Sequence, residues 1–226
     1  MSKLYLTSVF NVIKDINELQ PNRSTKLIVF PLAHATEYLP TKEAVYYRYD
    51  RDIYNRDSIF WSICRPFIDK GIDPDNIYIV NHYTDPIALI KYKIMQPNTW
   101  IAFPGGRPEL IKPIINKLDI KDYLLATDNP IICESAGSMY WSHKFFVWKD
   151  GDYDKYKSYK GLGVIRNYTF VPHFKAGEQS IHVARAARRF HRMNPLKTIY
   201  LMPDNGYIIY DTNTNDIIEK HNVLVY

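Results

Sequence analysis

Short apolar runs alternate with longer amphipathic ones through the first two thirds of the chain. Lys3 to Thr7 predicts a strand, and Ser8 to Leu19 a helix or a loop entering one. Lys26 to Leu32 predicts a buried strand. After a polar, tyrosine-rich connection through Tyr54, Ser58 to Lys70 predicts a helix closed by Gly71. Asn76 to Asn81 reads as a strand, Pro86 to Met95 as a helix capped by Asp85, and Thr99 to Phe103 as a strand. Pro108 to Leu118 follows as a helix with proline in its first turn. A strand at Ile131 then runs directly into a helix beyond Ser135. Strands alternating with helices imply βαβ crossovers, hence a mostly parallel sheet covered on both faces, an α/β/α sandwich of three layers.

The last third changes style. Phe145 to Trp148, Gly163 to Ile165, Thr169 to Val171, Thr198 to Met202, Gly206 to Asp211 and Val223 to Tyr226 predict short strands, several of them antiparallel. Asp204-Asn205-Gly206 reads as a hairpin turn and Asn213-Thr214-Asn215 as another tip. One helix, about Gly177 to Met193, interrupts them. No linker or low-complexity segment divides the chain, so residues 1–226 are expected to form one domain.

Composition narrows the function classes. With 226 residues, 46% of them hydrophobic, the chain can bury a full core. No apolar run is long enough to span a bilayer, and Met1-Ser2-Lys3 turns polar too soon for a signal peptide; a cytoplasmic protein is expected. Cys64 and Cys133 are too few for a disulfide framework and sit in apolar surroundings. The formal charge is +5. Its one dense cluster, Arg185, Arg188, Arg189 and Arg192, shares a helical segment with an apolar stripe (Ile181, Ala184, Ala187, Phe190). That is the pattern of a solvated basic face, so nucleic acid is not an expected partner.

The candidate chemistry centres on Pro130-Ile131-Ile132-Cys133-Glu134-Ser135-Ala136-Gly137-Ser138-Met139. An apolar strand stops, small residues surround a serine, and a helix starts at once. This is the outline of a nucleophile elbow, which holds a serine hydroxyl outward at the tip of a strained turn. The plainer alternative is a loop with Ser135 as helix N-cap. Phe103-Pro104-Gly105-Gly106-Arg107 follows a strand, where glycines let backbone N–H groups approach a ligand closely. Gly106 and Ala136 N–H are thereby candidates for an oxyanion hole. In Val171-Pro172-His173-Phe174 a histidine leaves a strand after a rigid proline, and an imidazole is suited to take a serine's proton. A carboxylate should orient that imidazole. Asp150, Asp152 and Asp154 lie between the two in sequence, in what could equally be a solvated loop.

Together, Phe103-Pro104-Gly105-Gly106, Glu134-Ser135-Ala136-Gly137-Ser138-Met139, Gly161-Leu162-Gly163-Val164-Ile165 and Val171-Pro172-His173-Phe174 resemble the dipeptidase E and cyanophycinase group of serine peptidases. The resemblance implies a fold similar to class I glutamine amidotransferases, of flavodoxin-like type, and a Ser–His–Asp/Glu triad. Ser135 would be the nucleophile, His173 the base and Asp150 the acid, with Asp152 in reserve and Gly106 and Ala136 as oxyanion donors. The implied substrate is a small peptide, with no cofactor and no metal; a homodimer would be in keeping. Aspartyl dipeptidases carry a Gly-Glu-Thr-Arg type run after the histidine, and its arginine is associated with an acidic substrate side chain. Here the run is Gly177-Glu178-Gln179-Ser180. Glu178 is the substrate-binding candidate, and Ser180 stands at the arginine's place, which argues against strict Asp specificity. A catalytically silent binding protein of the same fold is the alternative reading.

Overall fold

The computed structural model describes residues 3–34, 59–150, 153–175 and 177–226. The tyrosine-rich connection expected through Tyr54 lies outside them. Among the described residues twelve strands are formed: β1 Lys3–Thr7, β2 Lys26–Val29, β3 Ile77–Ile79, β4 Thr99–Phe103, β5 Ile131–Glu134, β6 Lys144–Val147, β7 Lys157–Lys160, β8 Tyr168–Val171, β9 Thr198–Leu201, β10 Tyr207–Asp211, β11 Asp216–His221 and β12 Leu224–Val225. The α-helices are α1 Ile59–Lys70, α2 Ile87–Met95, α3 Ile111–Leu118, α4 Lys121–Ala126, α5 Ala136–Tyr140 and α6 Glu178–Met193. A seven-stranded sheet has the order β11-β10-β1-β5-β4-β2-β3. Its β1, β5, β4, β2 and β3 are parallel, and β10 and β11 extend it antiparallel.

Strand alternation sorts the core into two layers. Leu4, Leu6, Ile28, Ile101, Phe103, Ile131 and Cys133 point to one face, where they meet Ile90 and Ile94 of α2, Ile111 and Ile115 of α3, and Tyr140 of α5. Tyr5, Leu27, Val29, Trp100, Ala102 and Ile132 point to the other, against Phe10 and Ile13 and against Ile63, Cys64 and Phe67 of α1. The expected layered sandwich with a mostly parallel sheet is therefore present. Among the described residues no helix is long and apolar enough to cross a membrane.

The C-terminal third differs in detail from its sequence pattern. Two small sheets form beside the main one, β12-β9-β8 and β6-β7. Asp204-Asn205-Gly206 is a turn, closed by Gly206 N–H on Pro203 O at 2.8 Å, but it is not a hairpin. It joins β9 of the small sheet to β10 of the large one. Gly163 to Ile165 makes a single bridge to Ser142 instead of a strand. Asp85 does not cap α2, whose N-cap is Pro86; its carboxylate accepts from Asn81 N–H and from Tyr78 hydroxyl.

Candidate active site

Ser135 sits between β5 and α5 with φ 47° and ψ −109°. A residue with a Cβ avoids positive φ, so neighbouring contacts must hold it there. Three do. Ser135 N–H donates to Thr7 O at 2.9 Å, and its carbonyl accepts from Met139 N–H at 3.0 Å. Ser138 Oγ accepts from Thr7 N–H at 3.1 Å and lies 2.9 Å from both Thr7 O and Cys133 O, tying the first turn of α5 to β1 and β5. Gly137 permits this approach, since a Cβ there would stand 2.2 Å from Phe103 O. The Cys133 side chain points into the core, and burial pushes its thiol well above the usual range, so it remains protonated.

The Gly105-Gly106 loop leaves β4 beside this turn. A Cβ on Gly105 would crowd Ser135 Cβ at 3.3 Å, and one on Gly106, whose φ is +124°, would collide with Ala33 O and the His34 ring. Glu134 ties the loop down. Its Oε2 accepts from Gly105 N–H at 3.1 Å and its Oε1 from Phe10 N–H at 2.9 Å. Burial raises the Glu134 pKa; the two N–H groups and the nearby His173 oppose that shift. With Gly105 N–H engaged, the Gly106 and Ala136 amides remain available as donors at the turn. Neither meets a protein acceptor among the described residues.

His173 follows β8 with φ 55°. Its N–H donates to Ser8 Oγ at 2.6 Å. Ser8 is next to Thr7, the residue that receives Ser135 N–H, so the end of β1 braces both residues from adjacent positions. The His173 ring meets a carboxylate: Nδ1 lies 2.7 Å from Asp204 Oδ1. An ionised carboxylate only accepts, so Nδ1 carries the proton and Nε2 is left as the basic nitrogen. Asp204 is itself placed by Ser8 Oγ at 3.4 Å, and Lys175 Nζ stands 3.9 Å from its other oxygen.

The carboxylate on the ring is thus not Asp150. Asp150 Oδ1 accepts from Tyr153 N–H at 3.0 Å, and Asp150 N–H donates to Tyr153 O at the same distance, so this side chain closes its own turn after β6. Asp152 lies outside the described residues, and Asp154 is exposed. Sequence reasoning missed Asp204 because Asp-Asn-Gly carries a strong turn signal of its own. The available hint was its position directly after a predicted strand, as with Ser135 and His173. Glu178 opens α6, but its side chain is not among those described. Among the described residues no three His, Cys, Asp or Glu side chains gather to hold a metal ion.

Comparison with known proteins decides the family. The model of peptidase family S51 matches residues 72–218, more than half of the chain and including Ser135, His173 and Asp204. The chain belongs to peptidase family S51. It is accordingly a serine-type peptidase of the dipeptidase E family. No curated protein matches it. Among solved structures it is similar to a Listeria monocytogenes EGD-e protein described as a peptidase E. The TM-score is 0.64 at 16% identity, with 100% of this chain and 98% of that one covered. A peptidase from an acI-B1 Actinobacterium gives 0.61 at 14% identity, covering 100% of this chain and 87% of its own. At these identities the likeness shows the fold alone.

Proposed function

We propose that this S51 member is a serine exopeptidase resembling dipeptidase E, which hydrolyses small peptides through an acyl-enzyme on Ser135. The observation that carries the reading is the His173–Asp204 pair at 2.7 Å, tied to the strained Ser135 turn through the end of β1, where Ser8 Oγ accepts His173 N–H and Thr7 O accepts Ser135 N–H. A histidine held in one tautomer by a carboxylate is a general base, and a serine at positive φ between strand and helix is a nucleophile's geometry.

In this reading His173 Nε2 takes the Ser135 hydroxyl proton as Oγ attacks the scissile carbonyl carbon. The Gly106 and Ala136 N–H groups receive the developing oxyanion. The imidazolium, stabilised by Asp204, then gives its proton to the leaving amine as the C–N bond breaks. Water enters, loses a proton to His173 and attacks the acyl carbon; the ester bond to Ser135 Oγ breaks, the acid product leaves, and Oγ recovers the proton from His173. Specificity differs from that of an aspartyl dipeptidase. Ser180 N–H and Oγ both donate to Gly177 O, so this side chain closes the first turn of α6 and brings no positive charge. Substrates with a neutral side chain should therefore be preferred over acidic ones.

A fluorophosphonate probe tests the reading. Covalent labelling of Ser135, lost in Ser135→Ala and in His173→Ala, is the expected result. A folded wild-type chain that takes no label would favour the catalytically silent reading instead.

A further inference from the structure

Cations gather at the end of the small sheet remote from the candidate active site. β8 and β9 run parallel, with His173 and Asp204 beyond their C-terminal ends. Before their N-terminal ends come Arg166 and Lys197. Ile165 bridges Ser142, and its carbonyl accepts His143 N–H at 2.7 Å, which brings the start of β6 to the same place. The β6–β7 register sets Lys144 opposite Lys160. Four cations from four chain segments thus surround His143.

Like charges directly across a strand pair oppose folding, and neutral groups fix two of these ammoniums in position. Lys144 Nζ donates to Asn194 Oδ1 at 3.1 Å, and Lys197 Nζ donates to the Arg166 carbonyl. Both side chains are partly buried. Among the described residues none of the four forms an ion pair with a carboxylate. The field of Lys197, Lys144, Lys160 and Arg166 adds to desolvation in lowering the His143 pKa. The arginines of α6 present a different case. They lie along one exposed helix face, as the sequence predicts, and Arg189 stacks its guanidinium 4.5 Å over the Tyr156 ring.

We propose that His143, Lys144, Lys160, Arg166 and Lys197 form an anion site for a small phosphate-bearing molecule. Arg166 supplies a planar fork that matches phosphate oxygens, and the lysines supply point charges around it. A groove continues from Arg166 past Asn167 and Lys121, with Leu162, Val164 and Tyr210 as its apolar lining. It has room for the uncharged part of a phosphate ester.

Isothermal titration of the full chain with pyrophosphate at low salt provides the test, alongside NMR titration of His143. One pyrophosphate should bind per chain, more weakly as salt rises, and the His143 titration should move to higher pH when it does. The double variant Lys160→Gln/Arg166→Gln should weaken binding about tenfold or more, since each lost contact is a charge-assisted hydrogen bond. Its fluorophosphonate labelling should match the wild type, which reports an intact fold. Absence of binding at millimolar pyrophosphate would overturn the proposal. So would binding that the double variant retains but Arg185→Gln/Arg188→Gln abolishes.

Discussion

Ser135 occupies φ 47°, ψ −109°, a conformation that disfavours any side chain with a Cβ. Such strain costs about 1–3 kcal/mol, and glycine would relieve it while adding roughly 0.4–1 kcal/mol of unfolded-state entropy to overcome. Ser135→Gly should therefore abolish hydrolysis yet raise stability by ~1 kcal/mol, measured by denaturant unfolding. A destabilised Ser135→Gly would mean that the turn is not strained. Ser135 and His173 were legible in the sequence because their signals are local: small residues around one, a strand and a proline before the other. Asp204 was not. Its nearness to His173 follows from the parallel pairing of β8 with β9, whose register aligns Val171 with Leu201. Residues 31 positions apart in sequence become neighbours only once that pairing forms. Asp150, closer in sequence to the serine, closes its own turn with Tyr153.

At the scale of elements, the unit that matters is β5, the turn and α5, packed on the end of β4. Gly137 is its tightest point. Alanine there would press a methyl into the Phe103 carbonyl at 2.2 Å, a backbone contact with no flexible side chain to yield. Gly137→Ala should lose ~3 kcal/mol of stability, at the upper end of ordinary overpacking costs, and lose activity with it as α5 is pushed away. Thermal unfolding and a peptidase assay together check this; an unperturbed melting temperature would contradict the close packing. The central strands and α1, α2, α3 and α6 were legible because each buries a periodic apolar face. β7 (Lys157–Lys160) and β11 (Asp216–His221) were not. Both are largely exposed, so their residues carry little hydrophobic alternation to read.

At the scale of the whole molecule, acid stability should reflect a histidine away from the catalytic edge. His82, after β3, is 6% exposed, with Nδ1 lacking a partner among the described residues. Burial, reinforced by Lys117 and opposed by Asp85, lowers its pKa from 6.5 to about 4. A base whose folded pKa is depressed contributes stability above its unfolded pKa and loses it as pH falls. Stability should thus drop between pH 6.5 and about 4, by at most about 3 kcal/mol from this group. His82→Phe should flatten that limb in unfolding curves taken across the range; an unchanged slope would assign acid lability to other groups. The molecule's central feature is the meeting of three strand ends, after β5, β8 and β9, braced by Thr7 and Ser8 at the end of β1. The most direct test is kcat/KM of Asp204→Asn beside Asp150→Asn on a panel of neutral dipeptides. Asp204→Asn should fall about 10³–10⁴-fold, as when a triad acid is neutralised, while Asp150→Asn stays within about threefold of wild type. The reverse order, with Asp150→Asn crippled and Asp204→Asn active, would contradict the assignment.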